Sequence, residues 1–293
     1  MAMECKTETE TKMNSYSEDQ QLAYESCMAG ENVFITGPGG TGKSYLIKSI
    51  LEGLKSKGKR VQVCSTTGCS SVLLNCNART LHSWSGIGAT NIDSNTIITR
   101  IKMNKYKRRN WLNTDVLIID EVSMLSKSLF EIFDQIGKQV RMFDDRYTHI
   151  AGKPFGGIQL IACGDFFQLP PVPNQGDPDS GKMCFESSLW EETFDSQILL
   201  DKVFRQKHEE YLRILGEVRE GHITKKSVQT LKSCIRKIDE HKETNENTPR
   251  PVTLFSTKRK ACEMNNRYME ELEGEEMEFE YEVCYEPLLE KVA

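Results

Sequence analysis

Several absences narrow the reading of this 293-residue chain before any motif is considered. No apolar run approaches the length of a membrane span, so no membrane partner is expected. Met1 to Tyr16 is rich in Thr, Glu and Lys and has no apolar stretch, unlike a secretory leader, and it is too acidic for a transit peptide. None of the ten cysteines pairs at C-x-x-C spacing, which argues against a disulfide frame and against a zinc site. Cys64, Cys69 and Cys76 lie near one another, but no histidine spacing beside them supports a metal. The thiols are therefore expected to be reduced and the protein intracellular. No internal repeat is present, and the N-terminal residues 1–16 are expected to be disordered. Net basic charge is missing only from the total, which is -5. Residues 1–31 carry seven acids and two lysines, and residues 270–293 carry ten acids and one lysine. The remaining residues, 32–269, hold 35 bases against 26 acids, a balance that suits a polyanionic partner.

What is present begins at residues 37–44, Gly-Pro-Gly-Gly-Thr-Gly-Lys-Ser. A short apolar segment, Asn32 to Thr36, precedes it, and apolar residues at helical spacing follow from Tyr45 to Leu51. Strand, glycine-rich turn and helix form the context in which this pattern binds a nucleoside triphosphate. Its glycines let backbone N–H groups cradle phosphate, and the helix N-terminus adds a positive dipole end. Lys43 is expected to reach the β/γ-phosphates and Ser44 to ligate Mg²⁺. Further strands are expected at 60–64, 115–120 and 158–162, alternating with helices, which predicts an α/β fold with a parallel sheet covered on both faces. Residues 171–188 read as a loop, and helical stretches at 207–219, 226–238 and 258–273 flank a short apolar run at 252–255.

Asp120-Glu121 closes the run Val116-Leu117-Ile118-Ile119, at the strand edge where parallel α/β sheets bind ligands. In a phosphate-loop protein, Asp120 is expected to hold Mg²⁺ and Glu121 to orient and deprotonate the attacking water. Gly164-Asp165-Phe166-Phe167-Gln168-Leu169-Pro170-Pro171 makes poor core sequence and reads as a rigid loop placed to sense the γ-phosphate. Lys102, Lys105, Lys107, Arg108 and Arg109 cluster with Tyr106 and Trp111; this pattern suits nucleic acid and equally suits a solvated basic face.

Taken together, these strings resemble the petite integration frequency (PIF) family of DNA helicases, related to RecD in superfamily 1 class B, over roughly residues 17–273. Ser17-Glu18-Asp19-Gln20 is similar to the family's leading glutamine motif, which implies that Gln20 contacts adenine. The resemblance implies nucleotide contacts along Gly37, Gly39, Gly40, Thr41, Gly42, Lys43, Ser44 and Tyr45. Ser65-Thr66-Thr67-Gly68 resembles the first single-strand-binding motif, and Thr80 through Gly88 the next, implying DNA contacts by Thr67, Gly68, His82 and Trp84. The segment from Lys153 to Val172 is the stretch that most specifically resembles the family, and it implies that Gln168 couples γ-phosphate state to DNA. Val203-Phe204-Arg205-Gln206 resembles the fourth helicase motif and makes Arg205 an arginine finger from the second domain. Residues 208–221 resemble the helix that follows.

The resemblance implies a RecA-like ATPase domain over 17–196, a partial second RecA-like domain over 197–273 and an acidic tail over 274–293. The chain ends before the family's later motifs. The expected function is Mg²⁺- and ATP-driven 5′→3′ movement on single-stranded and forked DNA with duplex unwinding, in replication, repair, recombination or telomere maintenance. A monomer is favoured, acting inside the cell, and in the nucleus or at a viral replication site if the source is eukaryotic or viral. The alternative is a truncated ATP- and DNA-binding module, or partner subunit, without unwinding. A nucleoside or nucleotide kinase accounts for the phosphate loop but not for Asp120-Glu121, Gln168 and Arg205 together.

Overall fold

Among the described residues, Ser17 starts the first helix, α1 (Glu18–Ala29), through a reciprocal cap in which its hydroxyl accepts from the Gln20 N–H at 3.3 Å and its own N–H donates to the Gln20 side chain at 3.1 Å. This is a computed structural model, and it describes residues 16–88, 94–174, 176–241, 252–272, 274 and 277. Apart from Tyr16, Gly274 and Met277, the two expected tails lie outside the described residues.

Gly30, at a φ of 94°, turns the chain from α1 into β1 (Val33–Thr36), and α2 (Lys43–Ser56) follows the phosphate loop. β2 (Val61–Ser65), α3 (Gly68–Leu73), β3 (Arg79–Thr80), α4 (Leu81–Ser85), α5 (Ser94–Met103) and α6 (Lys105–Leu112) lead to β4 (Val116–Asp120). Then come α7 (Lys127–Arg141), β5 (Gln159–Gly164), α8 (Leu189–Thr193) and β6 (Ser196–Leu199). The last helices are α9 (Glu209–Glu220), α10 (Lys225–His241) and α11 (Lys258–Glu270). The six strands form one sheet in the order β3-β2-β4-β5-β1-β6, and every pairing is parallel.

Continuous apolar runs in the strands follow from burial on both faces. Val33, Ile35, Ile118, Ile161 and Cys163 pack to one side with Leu46, Ile47 and Ile50 of α2. Phe34, Leu117, Ile119, Leu160 and Ala162 pack to the other with Phe130 and Phe133 of α7 and Trp84 and Trp111. α5 and α6, which carry the basic cluster, were not anticipated as helices; Ile97, Ile98 and Ile101 anchor the first of them, and Trp111 the second.

The Lys153–Leu160 stretch is a packing device. Phe155 is fully buried at a φ of 52°, and Gly156 and Gly157 follow at 64° and 77°. A Cβ on Gly137 of α7 would lie 2.5 Å from the Phe155 carbonyl oxygen, and one on Gly156 would collide with the Gly137 carbonyl. Buried Asp134, also of α7, accepts the Phe155 N–H at 2.8 Å. Buried Arg141 donates to the carbonyls of Trp111, Thr114 and Gly156, so α7 is tied along its length to its neighbours. Burial pushes the Arg141 guanidinium down to about 10.

The expected domain boundary at 196/197 does not hold. Ser196–Leu199 is the edge strand of the first sheet, paired with β1 from Val33↔Ser196 to Thr36↔Leu199. The chain divides into compact units at Met1–Thr230 and Leu231–Ala293. In the second unit Val252 and Leu254 are each 91% exposed, and residues 252–255 form no strand. No helix among the described residues is long and apolar enough to cross a membrane.

Candidate functional site

Because all six strands run the same way, their carboxyl ends deliver five segments to one edge. The phosphate loop leaves β1, Thr66-Thr67 leaves β2, Asp120-Glu121 ends β4, Asp165–Gln168 follows β5, and Leu200–Arg205 follows β6. Within the loop, Gly40 and Gly42 have φ of 90° and 86°, a conformation that puts glycine there rather than any side chain. A Cβ on Gly40 would also meet Arg205 Cβ at 3.0 Å, and one on Gly42 the Gln20 amide nitrogen at 2.7 Å. Thr41 is buried and its hydroxyl donates to the Pro38 carbonyl at 3.0 Å. Lys43 Nζ donates to the carbonyls of Gly37 at 2.6 Å and Pro38 at 3.0 Å, so its ammonium is held against the loop's own oxygens at the start of α2.

Asp120 is 5% exposed. Burial, and next the charge of Glu121, push its carboxyl up to about 6. Glu121 sits in the left-handed region at φ 56° and ψ 43°, and its carbonyl accepts from Thr66 Oγ1 at 3.0 Å. One cleft is lined by Ser44, Asp120, Glu121, Ser123, Gln168 and Arg205 among others. An adjoining cleft is lined by Gly39, Gly40, Gly42, Lys43, Ser44, Tyr45, Phe204 and again Glu121, Gln168 and Arg205. The fold thus gathers residues separated by more than 160 positions.

A divalent cation and a triphosphate suit this chemistry. A cation beside Asp120 and Ser44 would offset both the burial and the Glu121 repulsion that raise the Asp120 carboxyl. Ser123 is 1% exposed on the cleft wall, and its hydroxyl has no hydrogen-bond partner among the described residues, so a ligand or its water would satisfy it.

Other sequence expectations need correction. Arg205 does not come from a separate unit: its backbone belongs to a strap bonded to the phosphate loop, with Leu200 N–H on Thr36 O at 2.8 Å and Phe204 N–H on Gly40 O at 2.8 Å. Trp84 is 1% exposed, packs 4.6 Å from Trp111 and donates its indole N–H to Thr114, so it is core and not a DNA surface. Trp111 is equally buried. Gln20 already spends its amide on Ser17 and, at 3.0 Å, on the Thr41 carbonyl; it braces the loop from beneath. Thr67 caps α3 by accepting the Ser70 N–H at 3.2 Å, with exposed Gly68 beside it. His82 lines a separate cavity with Thr66, Met124, Pro171 and Pro173, and burial lowers its imidazole. Tyr45 is 46% exposed with its ring edge-on to Tyr16. Ser123 and Phe204, both on the cleft walls, were not picked out from sequence, where an acid pair and an arginine masked these less reactive neighbours.

A parallel sheet with a phosphate loop at β1, acids at β4 and a glutamine loop at β5 defines a P-loop NTPase core of the RecA type. The chain belongs to the PIF1-like helicase family, whose profile matches residues 15–245. It is 37% identical over 254 residues to the ATP-dependent DNA helicase PIF1 of Emericella nidulans, covering 85% of this chain and 32% of that protein. The crystal structure of Pif1 helicase from Candida albicans matches with a TM-score of 0.74 and 33% identity, over 88% of this chain and 55% of that one. Pif1 helicase from Bacteroides in complex with ADP-AlF3 and ssDNA matches with a TM-score of 0.64 and 25% identity, over 92% of this chain and 57% of that one. The chain spans between about a fifth and a third of the length of the curated relatives it matches.

Proposed function

We propose that this chain is the motor portion of an ATP-dependent DNA helicase, which hydrolyses Mg²⁺-bound ATP and moves 5′→3′ on single-stranded DNA to open forked duplexes. The observation that carries the reading is the convergence of Ser44, Asp120, Glu121, Gln168 and Arg205 on one cleft beside the phosphate loop. Lys43 exchanges the Gly37 and Pro38 carbonyls for phosphate oxygens. Ser44 and Asp120 would hold Mg²⁺, which when bound would neutralise charge on the phosphates. Glu121 accepts a proton from the attacking water, Ser123 holds that water's neighbour, and Gln168 reports the γ-phosphate. Arg205 stabilises the charge of phosphoryl transfer, a role worth about 10³–10⁵ in rate. Phe204 offers an aromatic wall to the nucleotide.

The single strand is proposed to cross Thr67, Gly68 and the His82 cavity. Beside it, residues 94–114 carry six bases and no acid, and none of the six bases has a carboxylate partner among the described residues. Tyr106 there is 73% exposed. That face suits phosphates and stacked bases. The working form is a monomer, active in the nucleus or at a viral replication site where the source is eukaryotic or viral, in replication, repair, recombination or telomere maintenance.

The test is ATP hydrolysis with and without single-stranded DNA, with Lys43→Ala as the blank and strand separation measured on a tailed fork. The expected result is DNA-stimulated turnover, lost in Lys43→Ala, with Glu121→Gln binding ATP but not hydrolysing it. Normal turnover in either variant sinks the site assignment. Turnover without strand separation favours a DNA-binding ATPase module over a helicase.

A further inference from the structure

Asp165 sits three residues before Gln168 and is 1% exposed. Arg219, near the end of α9, meets it with a two-pronged ion pair: Nε donates to Oδ2 at 2.8 Å and Nη2 to Oδ1 at 2.8 Å. The guanidinium also lies 4.3 Å from the ring of Phe167, a side chain that is 60% exposed. The same carboxylate serves the sensor loop. Its Oδ1 accepts the Phe167 N–H at 3.2 Å, and its Oδ2 accepts Gln168 Nε2 at 3.4 Å. Gln168 therefore makes the longest of the four bonds to Asp165, on an oxygen that Arg219 already occupies.

We infer that Arg219 is a positioning residue for Gln168: by engaging Asp165 it keeps that carboxylate's hold on the sensor amide weak, so Gln168 can turn to the nucleotide. This rests on the nucleotide reading above. A charge-assisted, two-pronged bond outcompetes a neutral amide for the same oxygen. Without Arg219, Asp165 is a buried carboxylate with, among the described residues, only the Phe167 N–H and the Gln168 amide to satisfy it. It then draws Gln168 in and away from the cleft. Because Arg219 stands on α9, any shift of that helix changes the grip on Gln168, which gives the helix a route to the γ-phosphate sensor.

The experiment compares the chain with its Arg219→Ala, Arg219→Lys and Arg219→Ala/Asp165→Asn variants, measuring ATP turnover with single-stranded DNA and following the Gln168 side-chain amide by NMR. Arg219→Ala should lower kcat about tenfold, the equivalent of one charged hydrogen bond, with KM for ATP changed less than about twofold. Its Gln168 amide protons should shift downfield as the bond to Asp165 shortens. Arg219→Lys, a point charge without the fork, should fall between the two. The double variant should regain most of kcat and return the Gln168 resonance, because a neutral Asn oxygen holds the amide less tightly than a bare carboxylate does. Arg219→Gln replaces the alanine variant if that one lacks a cooperative melt. An unchanged kcat in Arg219→Ala, or a double variant as slow as the single, overturns the inference. If the unaltered chain hydrolyses no ATP, the proposed function fails separately. The NMR arm still decides on Arg219, since an unmoved Gln168 amide in Arg219→Ala overturns its role.

Discussion

Phe155 and Glu121 are both non-glycine residues in the left-handed backbone region, at φ of 52° and 56°, and the molecule holds them there by opposite means. Phe155 is locked from all sides. Its ring is buried 5.2 Å from Phe130, Asp134 takes its N–H, and the Gly137–Gly156 contact leaves its backbone no other course. Glu121 is held at its carbonyl, by Thr66 Oγ1 at 3.0 Å and by the Met124 N–H at 3.2 Å, while its side chain faces two clefts. Such a conformation costs about 1–3 kcal/mol wherever it occurs. In the first region packing offsets the strain. In the second the strain aims a carboxylate, which is the arrangement expected where geometry serves chemistry and not stability.

Matched changes test that contrast. The largest effect belongs to Phe155→Gly, which relieves the left-handed strain but deletes a fully buried ring; we expect a loss of about 3–5 kcal/mol in urea unfolding. A loss below about 1 kcal/mol would mean that the packing around Phe155 is not what secures the turn. Asp120→Asn comes next, with the opposite sign. It removes a buried carboxylate that burial and Glu121 disfavour, so stability at neutral pH should rise by about 1–3 kcal/mol while ATP turnover is lost. Thermal unfolding would read this as roughly 2–4 °C per kcal/mol. The smallest effect is Glu121→Gly, where relief of strain and the added freedom of the unfolded chain nearly cancel, leaving a gain within about 1 kcal/mol. A loss as large as that of Phe155→Gly would erase the distinction between the two regions.

The chemistry was more legible in sequence than the packing. The convergence of Lys43, Ser44, Asp120, Glu121 and Gln168 was legible because each ends a strand or follows one within a short loop, and a parallel sheet brings such ends together whatever the intervening chain does. Trp84 was misread because its burial depends on Trp111 and Thr114, some 30 positions away, and no local pattern reports them. The assignment of Ser196–Leu199 failed for a related reason: an edge strand of alternating exposure carries a weak signal, and its partner β1 is 163 residues earlier. The family-specific Lys153–Leu160 stretch was recognisable as a string, yet its purpose, a close backbone crossing at Gly137 and Gly156, is visible only in three dimensions.

The strap after β6 has a kinetic corollary. With Phe204 N–H bonded to Gly40 O at 2.8 Å, the arginine proposed to complete phosphoryl transfer is tethered to the same loop that receives the nucleotide. Its local concentration is then set by this hydrogen-bonded strap of the same chain and not by encounter with a second molecule. Specific activity per mole of chain should accordingly stay flat on dilution, as it would not for an NTPase that borrows its arginine from a neighbour.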